Sequence, residues 1–392
     1  MPSADVTTLS VAIVRARYNP YGGAERFVQR ALAALSASDV EVTVIARSWP
    51  ERPEPGLAVK LSYLRVDPFY LGSVWRDWSF ARGVRRALAG RRFSVVQSHE
   101  RIAGLPIYRA GDGVHAEFLA QRRRALPRWR AASLSVNPYH AYVLAAERTM
   151  FTHPDLRAVI CNSEMVRREI RERFGVDEAR LHLIRNGVDT QRFRPPSRDE
   201  RANARASLGV ADATTAFAFV GSGFERKGLR TAIRAMARVA SRDDACLLVA
   251  GTDRHAERYR ALAQALGVSE RVRLLGGVDD VRTVLWAADA FVLPTLYDPF
   301  PNAALEALAC GLATVTSTKS GAAELIRAGT NGFVHDALDL DGLADSMTNL
   351  CDPARRVPMA VAARDSVEGL SLEALSGQLI GLYRGLLESA SP

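Results

Sequence analysis

Cysteine is nearly missing from this chain. The four present, Cys161, Cys246, Cys310 and Cys351, are scattered with no CxxC pair, so neither a zinc site nor a disulfide framework is signalled. They read as small, reduced, mostly buried apolar side chains. No run of 18 apolar residues occurs, and the opening MPSADVTTLS is polar and leads straight into a strand, so neither a membrane-spanning helix nor a secretory signal is expected and the protein reads as cytoplasmic. The GxGxxG fingerprint and the GxxxxGK loop are missing too, which leaves a nicotinamide cofactor and a P-loop without support. Lysine is scarce: nearly all the positive charge is arginine.

What is present is an ordinary globular composition, 48% hydrophobic and 24% charged, at a length of 392 residues that suits two domains. The net charge of +9 is uneven: up to Pro196 there are 31 Lys plus Arg against 19 Asp plus Glu, a balance of +12, and beyond it 21 against 24, a balance of −3. Arginines cluster at Arg85, Arg86, Arg91 and Arg92, and again at Arg122, Arg123, Arg124, Arg128 and Arg130, with Trp75, Trp78 and Trp129 close by. Arginine pairs with phosphate and tryptophan favours the interface, so the mixture suits an anionic membrane surface or a phosphorylated lipid. Nucleic acid ranks lower because no recognised motif accompanies the charge, and an arginine habit solvated on helix faces explains the clusters as well.

Along the chain, short apolar runs alternate with amphipathic stretches, the pattern of parallel sheets flanked by helices. VAIVRA runs into a turn at Gly22 and Gly23, where two glycines let a backbone approach a ligand or simply allow positive φ. EVTVIAR and RFSVVQSHE are further strands. PIYRAGDGVHAEF sets Asp112 just past an apolar segment, where open α/β sheets gather their ligands, whereas His99 reads as structural. A helix is expected over 137–150, and Asn162 or Ser163 caps the next. Pro195-Pro196, followed by charged residues, is the linker candidate. The division is therefore 1–194, 195–370, and a C-terminal amphipathic helix over 371–392 that must pack on another element.

The stretch that organises the second half is Tyr297 to Gly311, YDPFPNAALEALACG, directly after AFVLPTL. A strand, a turn and a helix begun by small residues point a helix N-terminus at anions, and Asp298 and Glu306 face one pocket from different depths if one is in the loop and the other a turn into the helix. Carboxylates beside a phosphate site suit sugar hydroxyls, although Asp before a helix is commonly a cap and Glu within one is commonly solvated. Gly221, Ser222 and Gly223 follow another strand, and Arg226 and Lys227 there clamp a diphosphate or merely form a cationic turn. Asp339-Leu340-Asp341 matches the DxD pattern of metal-dependent sugar transferases, but it precedes a helix, where capping is favoured; no metal is predicted.

Together, Gly22-Gly23-Ala24-Glu25, Asn186-Gly187-Val188-Asp189, Arg226-Lys227-Gly228 and the Asp298-to-Gly311 segment resemble the GT-B glycosyltransferases of family 4, over nearly the whole length. The resemblance implies an α/β fold of two Rossmann-like domains facing a central cleft, the first taking the acceptor and the second a nucleotide-diphosphate sugar. It implies that Arg226 and Lys227 neutralise the diphosphate, Glu306 binds ribose hydroxyls and Asp298 contacts the transferred sugar. The N–H groups of Phe300, Asn302 and Ala303 complete the donor pocket, with Gly22 and Gly23 opposite. The expected reaction is metal-independent, cofactor-free and retaining.

Three residues depart from the family pattern. Asp298 stands where Glu is more frequent, Ser222 where Arg is common, and Asp112 where many members have His. The last two variants look most like the lipopolysaccharide core glucosyltransferase subgroup. A UDP-hexose donor and a lipopolysaccharide core or similar anionic glycolipid acceptor are the expected partners, at the inner membrane surface and without nucleic acid. Another donor such as GDP-mannose, a sugar-nucleotide epimerase, or a non-catalytic nucleotide- or membrane-binding protein are the alternatives.

Overall fold

The computed structural model describes residues 9–17, 40–48, 60–239 and 245–389; Gly22 and Gly23 lie outside them. The chain forms two compact units, Met1–Gly187 with Leu372–Pro392, and Val188–Ser371. In the first, seven strands are joined wholly in parallel: β1 (Leu9–Val14), β2 (Val40–Ala46), β3 (Lys60–Arg65), β4 (Val95–Ser98), β5 (Ile107–Arg109), β6 (Ala158–Cys161) and β7 (Leu181–Leu183). Their order is β3-β2-β1-β4-β5-β6-β7. The second unit has β8 (Thr215–Val220), β9 (Ala245–Ala250), β10 (Val272–Gly276), β11 (Ala290–Leu293), β12 (Ala313–Ser317) and β13 (Gly332–His335), all parallel, in the order β10-β9-β8-β11-β12-β13.

Strands buried on both faces need unbroken apolar runs rather than alternation, and every residue of TAFAFV in β8 and of ACLLVA in β9 is buried. Some helices begin at a capping side chain: Asn137 accepts from the N–H groups of Tyr139 and His140, and Ser163 accepts from Val166. Each sheet reverses its strand order once, between β1 and β4 and between β8 and β11, which opens a crevice at the carboxyl ends of those strands.

The domain boundary differs from the linker expected at Pro195-Pro196. Val188 and Phe193 are buried in the core of the second unit, and Ser197 and Glu200 form a reciprocal capping box that makes the prolines the lead-in to a helix at Arg198–Ser207. The C-terminal helix Leu372–Glu388 belongs to the first unit. Leu375, Leu379 and Tyr383, four apart on one face, join Val11, Ile13, Ile107 and Ile160 of the sheet in one core cluster.

The Tyr383 hydroxyl donates to Gln97 Oε1 at 2.7 Å, and the Gln97 amide nitrogen lies 3.0 Å from His99 Nε2. Burial, then the charges of Arg109 and Arg15, hold the His99 imidazole well below its ordinary 6.5, so it is neutral and Nε2 accepts. This chain of buried polar groups pins the helix to β4. Replacing Tyr383 by Phe leaves the Gln97 carbonyl without its donor and is expected to destabilise the first unit by about 1–2 kcal/mol, measured by denaturant unfolding.

Candidate functional site

At the switch point of the second sheet, three loops are drawn together by backbone bonds. The loop after β8 ends in a one-turn helix, Phe224–Lys227, closed by Gly228 at φ +77°. A Cβ at Gly228 would stand 1.9 Å from the Pro294 carbonyl oxygen, so only glycine lets this turn lie against the end of β11. The Arg226 carbonyl then accepts from Leu296 N–H and from the Thr295 hydroxyl, each at 2.8 Å. On the other side, Asp298 N–H donates to the Lys319 carbonyl and Gly321 N–H donates to the Asp298 carbonyl, both at 2.9 Å, which adds the loop after β12.

The result is a buried carboxylate between two cations. Lys227 Nζ lies 2.5 Å from Asp298 Oδ2 and Arg226 Nη1 lies 3.3 Å from the same oxygen. Burial alone would raise the Asp298 pKa, but the Lys227 and Arg226 charges, the Lys227 hydrogen bond and the Phe300 N–H hold it below the usual 3.8. The aspartate is therefore ionised. An ammonium carries three N–H donors, so Lys227 can keep Asp298 and still reach a phosphate.

Beyond it, Pro301 leads into the helix Asn302–Ala309, whose small side chains let it sit buried along its whole length. Asp298 is in the loop and Glu306, only 1% exposed, is one turn into the helix. Asn302 and Ala303 occupy its first turn, where N–H groups have no acceptor within the helix. Phe300 differs from expectation: its N–H is engaged by the Asp298 carboxylate. Ser222 also has another task, because its hydroxyl accepts from Thr252 N–H at 3.1 Å and ties the loop after β8 to the loop after β9.

Sequence reading missed two residues here. Asp253 Oδ2 accepts from Phe224 N–H at 2.8 Å and so anchors the turn that carries Arg226 and Lys227. The Ser320 hydroxyl, 1% exposed beside the Asp298 bridge, has no hydrogen-bond partner among the described residues. An Asp or Ser in a loop carries no local signal of such a partner. Asp339 accepts from Gly342 N–H at 3.0 Å as a helix cap, and Asp341 pairs with Arg238.

In the first unit, Asp112 follows β5 with its side chain half exposed. Arg15 bridges it at 3.4 Å and Glu100 at 3.3 Å. Arg123, Arg124, Arg128 and Arg130 are exposed and Arg122 half-buried, on the helices His115–Ala125 and Arg128–Ser135. Trp129, 69% exposed, has the Arg130 guanidinium 4.8 Å from its ring centre. Phe69, Leu71, Trp75 and Trp78 form a second exposed apolar group on and before the helix Gly72–Ala89. Among the described residues no helix is long and apolar enough to cross a membrane.

Residues 21–192 match the model described as Glycosyltransferase Family 4, and residues 214–352 match Glycosyl transferases group 1. The chain carries both of these glycosyltransferase domains. A GDP-mannose-dependent monoacylated alpha-(1-6)-phosphatidylinositol monomannoside mannosyltransferase of Corynebacterium glutamicum is 34% identical over 53% of this chain, which spans 56% of that relative. The alpha-maltose-1-phosphate synthase of Mycolicibacterium smegmatis is 29% identical over 96% of this chain and 99% of its own. The lipopolysaccharide glucosyltransferase WaaG of Escherichia coli is 24% identical over 83% and 84% of the two chains. A crystal structure of WaaG, 23% identical, covers 96% of this chain and 100% of its own with a TM-score of 0.81. The fold of this glycosyltransferase is GT-B, with two Rossmann-like parallel-sheet domains.

Replacing Lys227 of the glycosyltransferase by Met removes the nearer of the two cations at a buried carboxylate and should destabilise the second unit by about 3 kcal/mol, with most of the loss recovered when Asp298→Asn is added; a double-mutant cycle by denaturant unfolding reads both. The Asp298 pKa is depressed, so its contribution is present above the ordinary value of 3.8 and is lost as pH falls through the folded value. The wild-type unfolding midpoint should therefore drop more steeply below about pH 4 than that of Asp298→Asn.

Proposed function

We propose that the protein transfers a hexose, glucose in the first instance, from a UDP-sugar to lipopolysaccharide core or a similar cell-envelope glycolipid, with retention at the anomeric carbon. The observation that carries this reading is the Lys227–Asp298–Arg226 cluster at the switch point of the second sheet, with Glu306 buried on the helix that follows. Arg226 and Lys227 are the cations for the donor diphosphate, Asp298 contacts the transferred sugar, and Glu306 takes the ribose hydroxyls. The first-turn N–H groups of Asn302 and Ala303 add donors for the phosphates.

In the reaction, the bond between the anomeric carbon and the diphosphate oxygen breaks and the acceptor hydroxyl oxygen bonds to that carbon from the same face. Its proton passes to a leaving phosphate oxygen. Two fixed cations bring the positive charge that a divalent ion would otherwise supply, so the transfer is metal-independent and needs no cofactor. The acceptor is taken by the first unit. Its exposed Trp75, Trp78 and Trp129, with the Arg122-to-Arg130 cluster, suit the inner face of a membrane, a peripheral location consistent with an acceptor built on lipid. GDP-mannose is the alternative donor, favoured by the Corynebacterium glutamicum relative.

A thermal-shift panel of UDP, GDP, ADP and their sugars tests the donor without any acceptor, because a ligand that binds only the folded state raises its midpoint. A shift with UDP compounds, lost in Lys227→Ala and in Glu306→Ala, is expected. A shift with GDP compounds alone would replace UDP by the alternative, and no shift with any nucleotide would remove the donor-site reading. Binding to anionic vesicles should weaken with added salt and with charge reversal across Arg122 to Arg130, and salt-insensitive binding would sink the membrane assignment.

A further inference from the structure

We infer that the cavity at the switch point of the first sheet recognises an acceptor sugar that carries a phosphate or another anionic group beside its free hydroxyls. This rests on the acceptor role proposed for the first unit and names the chemistry of that acceptor. The cavity, about 290 Å³, lies at the carboxyl ends of β1 and β4, the place where an open parallel sheet receives its ligand. Among the described residues, four guanidinium groups line it, from Arg15, Arg17, Arg76 and Arg101, against the carboxylates of Asp77, Glu100 and Asp112. Among the described residues the buried Glu147 behind Arg101 brings the carboxylates level with the guanidinium groups, so what a ligand meets depends on which cation is left without a carboxylate.

Three of these arginines are held in place from behind or from the side. Arg15 is fixed by Glu100 and Asp112. Arg76 Nε lies 2.6 Å from Asp77, and Arg101 Nε lies 2.9 Å from the buried Glu147 while its Nη2 donates to the Gly113 carbonyl at 3.2 Å. With Nε and Nη2 engaged, Arg76 and Arg101 each have their plane fixed and present Nη1 in a set direction to an incoming oxyanion. Arg17 differs: no carboxylate among the described residues pairs with it, and it bonds the Tyr70 hydroxyl. It supplies the charge left over for a ligand.

The rest of the lining suits a sugar. Tyr139 and Tyr142 contribute aromatic rings, and the Tyr139 hydroxyl is fixed by Asp77 Oδ2 at 3.1 Å. Asp112 sets a half-exposed carboxylate at the same wall, suited to hydroxyl groups. A second cavity of about 430 Å³ shares Arg17 and adds Arg47 and Arg65 with Tyr63 and Tyr70, so the cationic, aromatic lining continues for a longer acceptor. The Arg122-to-Arg130 cluster lines neither cavity.

Calorimetric titration of the full chain, without donor, with glucose 6-phosphate, methyl glucoside and inorganic phosphate tests the inference. Glucose 6-phosphate is expected to bind at least about tenfold more tightly than either of the other two, and Arg17→Ala should weaken it about tenfold while Arg17→Lys retains part of the affinity. The affinity should be unchanged in Lys227→Ala and Glu306→Ala, which separates this site from the donor site. Equal binding of the neutral sugar, no binding at millimolar concentration, indifference to Arg17→Ala, or loss in Lys227→Ala would each overturn it. Inorganic phosphate binding as tightly as the sugar phosphate would also overturn it, since the hydroxyls would then contribute nothing. The titration uses no nucleotide, so a failed UDP assignment leaves its outcome intact, and a negative result leaves donor binding at Lys227 untouched.

Discussion

A carboxylate buried as deeply as that of Asp298 is tolerable only with charge and hydrogen bonds around it, and most of the second unit's architecture at this end of the sheet can be traced to that demand. The turn at Gly228 brings Arg226 and Lys227 in, the Arg226 carbonyl holds the loop after β11, and the backbone of Asp298 is clasped by Lys319 and Gly321. The choice of cation follows the same logic. In a chain whose basic residues are almost all arginine, position 227 is a lysine. Its stem runs past Gly221, where a Cβ would come within 3.1 Å of Lys227 Cε, and its ammonium closes to 2.5 Å on Asp298.

Both units use one strand order, yet their switch points are chemically opposite. In the second, two cations converge on a single buried carboxylate, a compact arrangement with little room for variation. In the first, guanidinium and carboxylate groups alternate around an open cavity, and Asp112 and Arg17 reach solvent. The difference is the one that the donor and acceptor roles proposed for the two units call for. A shared backbone plan thus constrains where ligands go while leaving the side chains to decide what they are.

The apolar runs made the parallel strands legible, because a strand covered on both faces has no other way to be written. Local capping chemistry did the same for the helices after Asn137 and Ser163. For Asp298 and Glu306 the condition set on their spacing, one in a loop and one a turn into a helix, is met. Features that depend on distant partners were not legible. Pro195-Pro196 has linker composition, but Phe193 just before it is buried in the second core. Ser222 was legible only as a departure from the family's Arg, and its oxygen is engaged by Thr252, 30 residues away. The Phe300 N–H, the Asp253 anchor and the Arg15–Glu100–Asp112 group are likewise products of loops that meet only in the fold.

The C-terminal helix has a consequence for how the protein is made. The first unit is interrupted at Gly187 and completed only from Leu372 onward, so the second is a continuous insertion within it. During synthesis, Val188 to Ser371 leaves the ribosome with all of its own strands and can fold as a unit while the first sheet still lacks Leu375, Leu379 and Tyr383 on one face. Val11, Ile13, Ile107 and Ile160 stay without those partners until the last turns of the chain emerge. A ribosome that stalls or terminates shortly before residue 372 therefore releases a molecule with a finished second unit and an apolar sheet face open to aggregation, a substrate for chaperones rather than a slightly shortened enzyme.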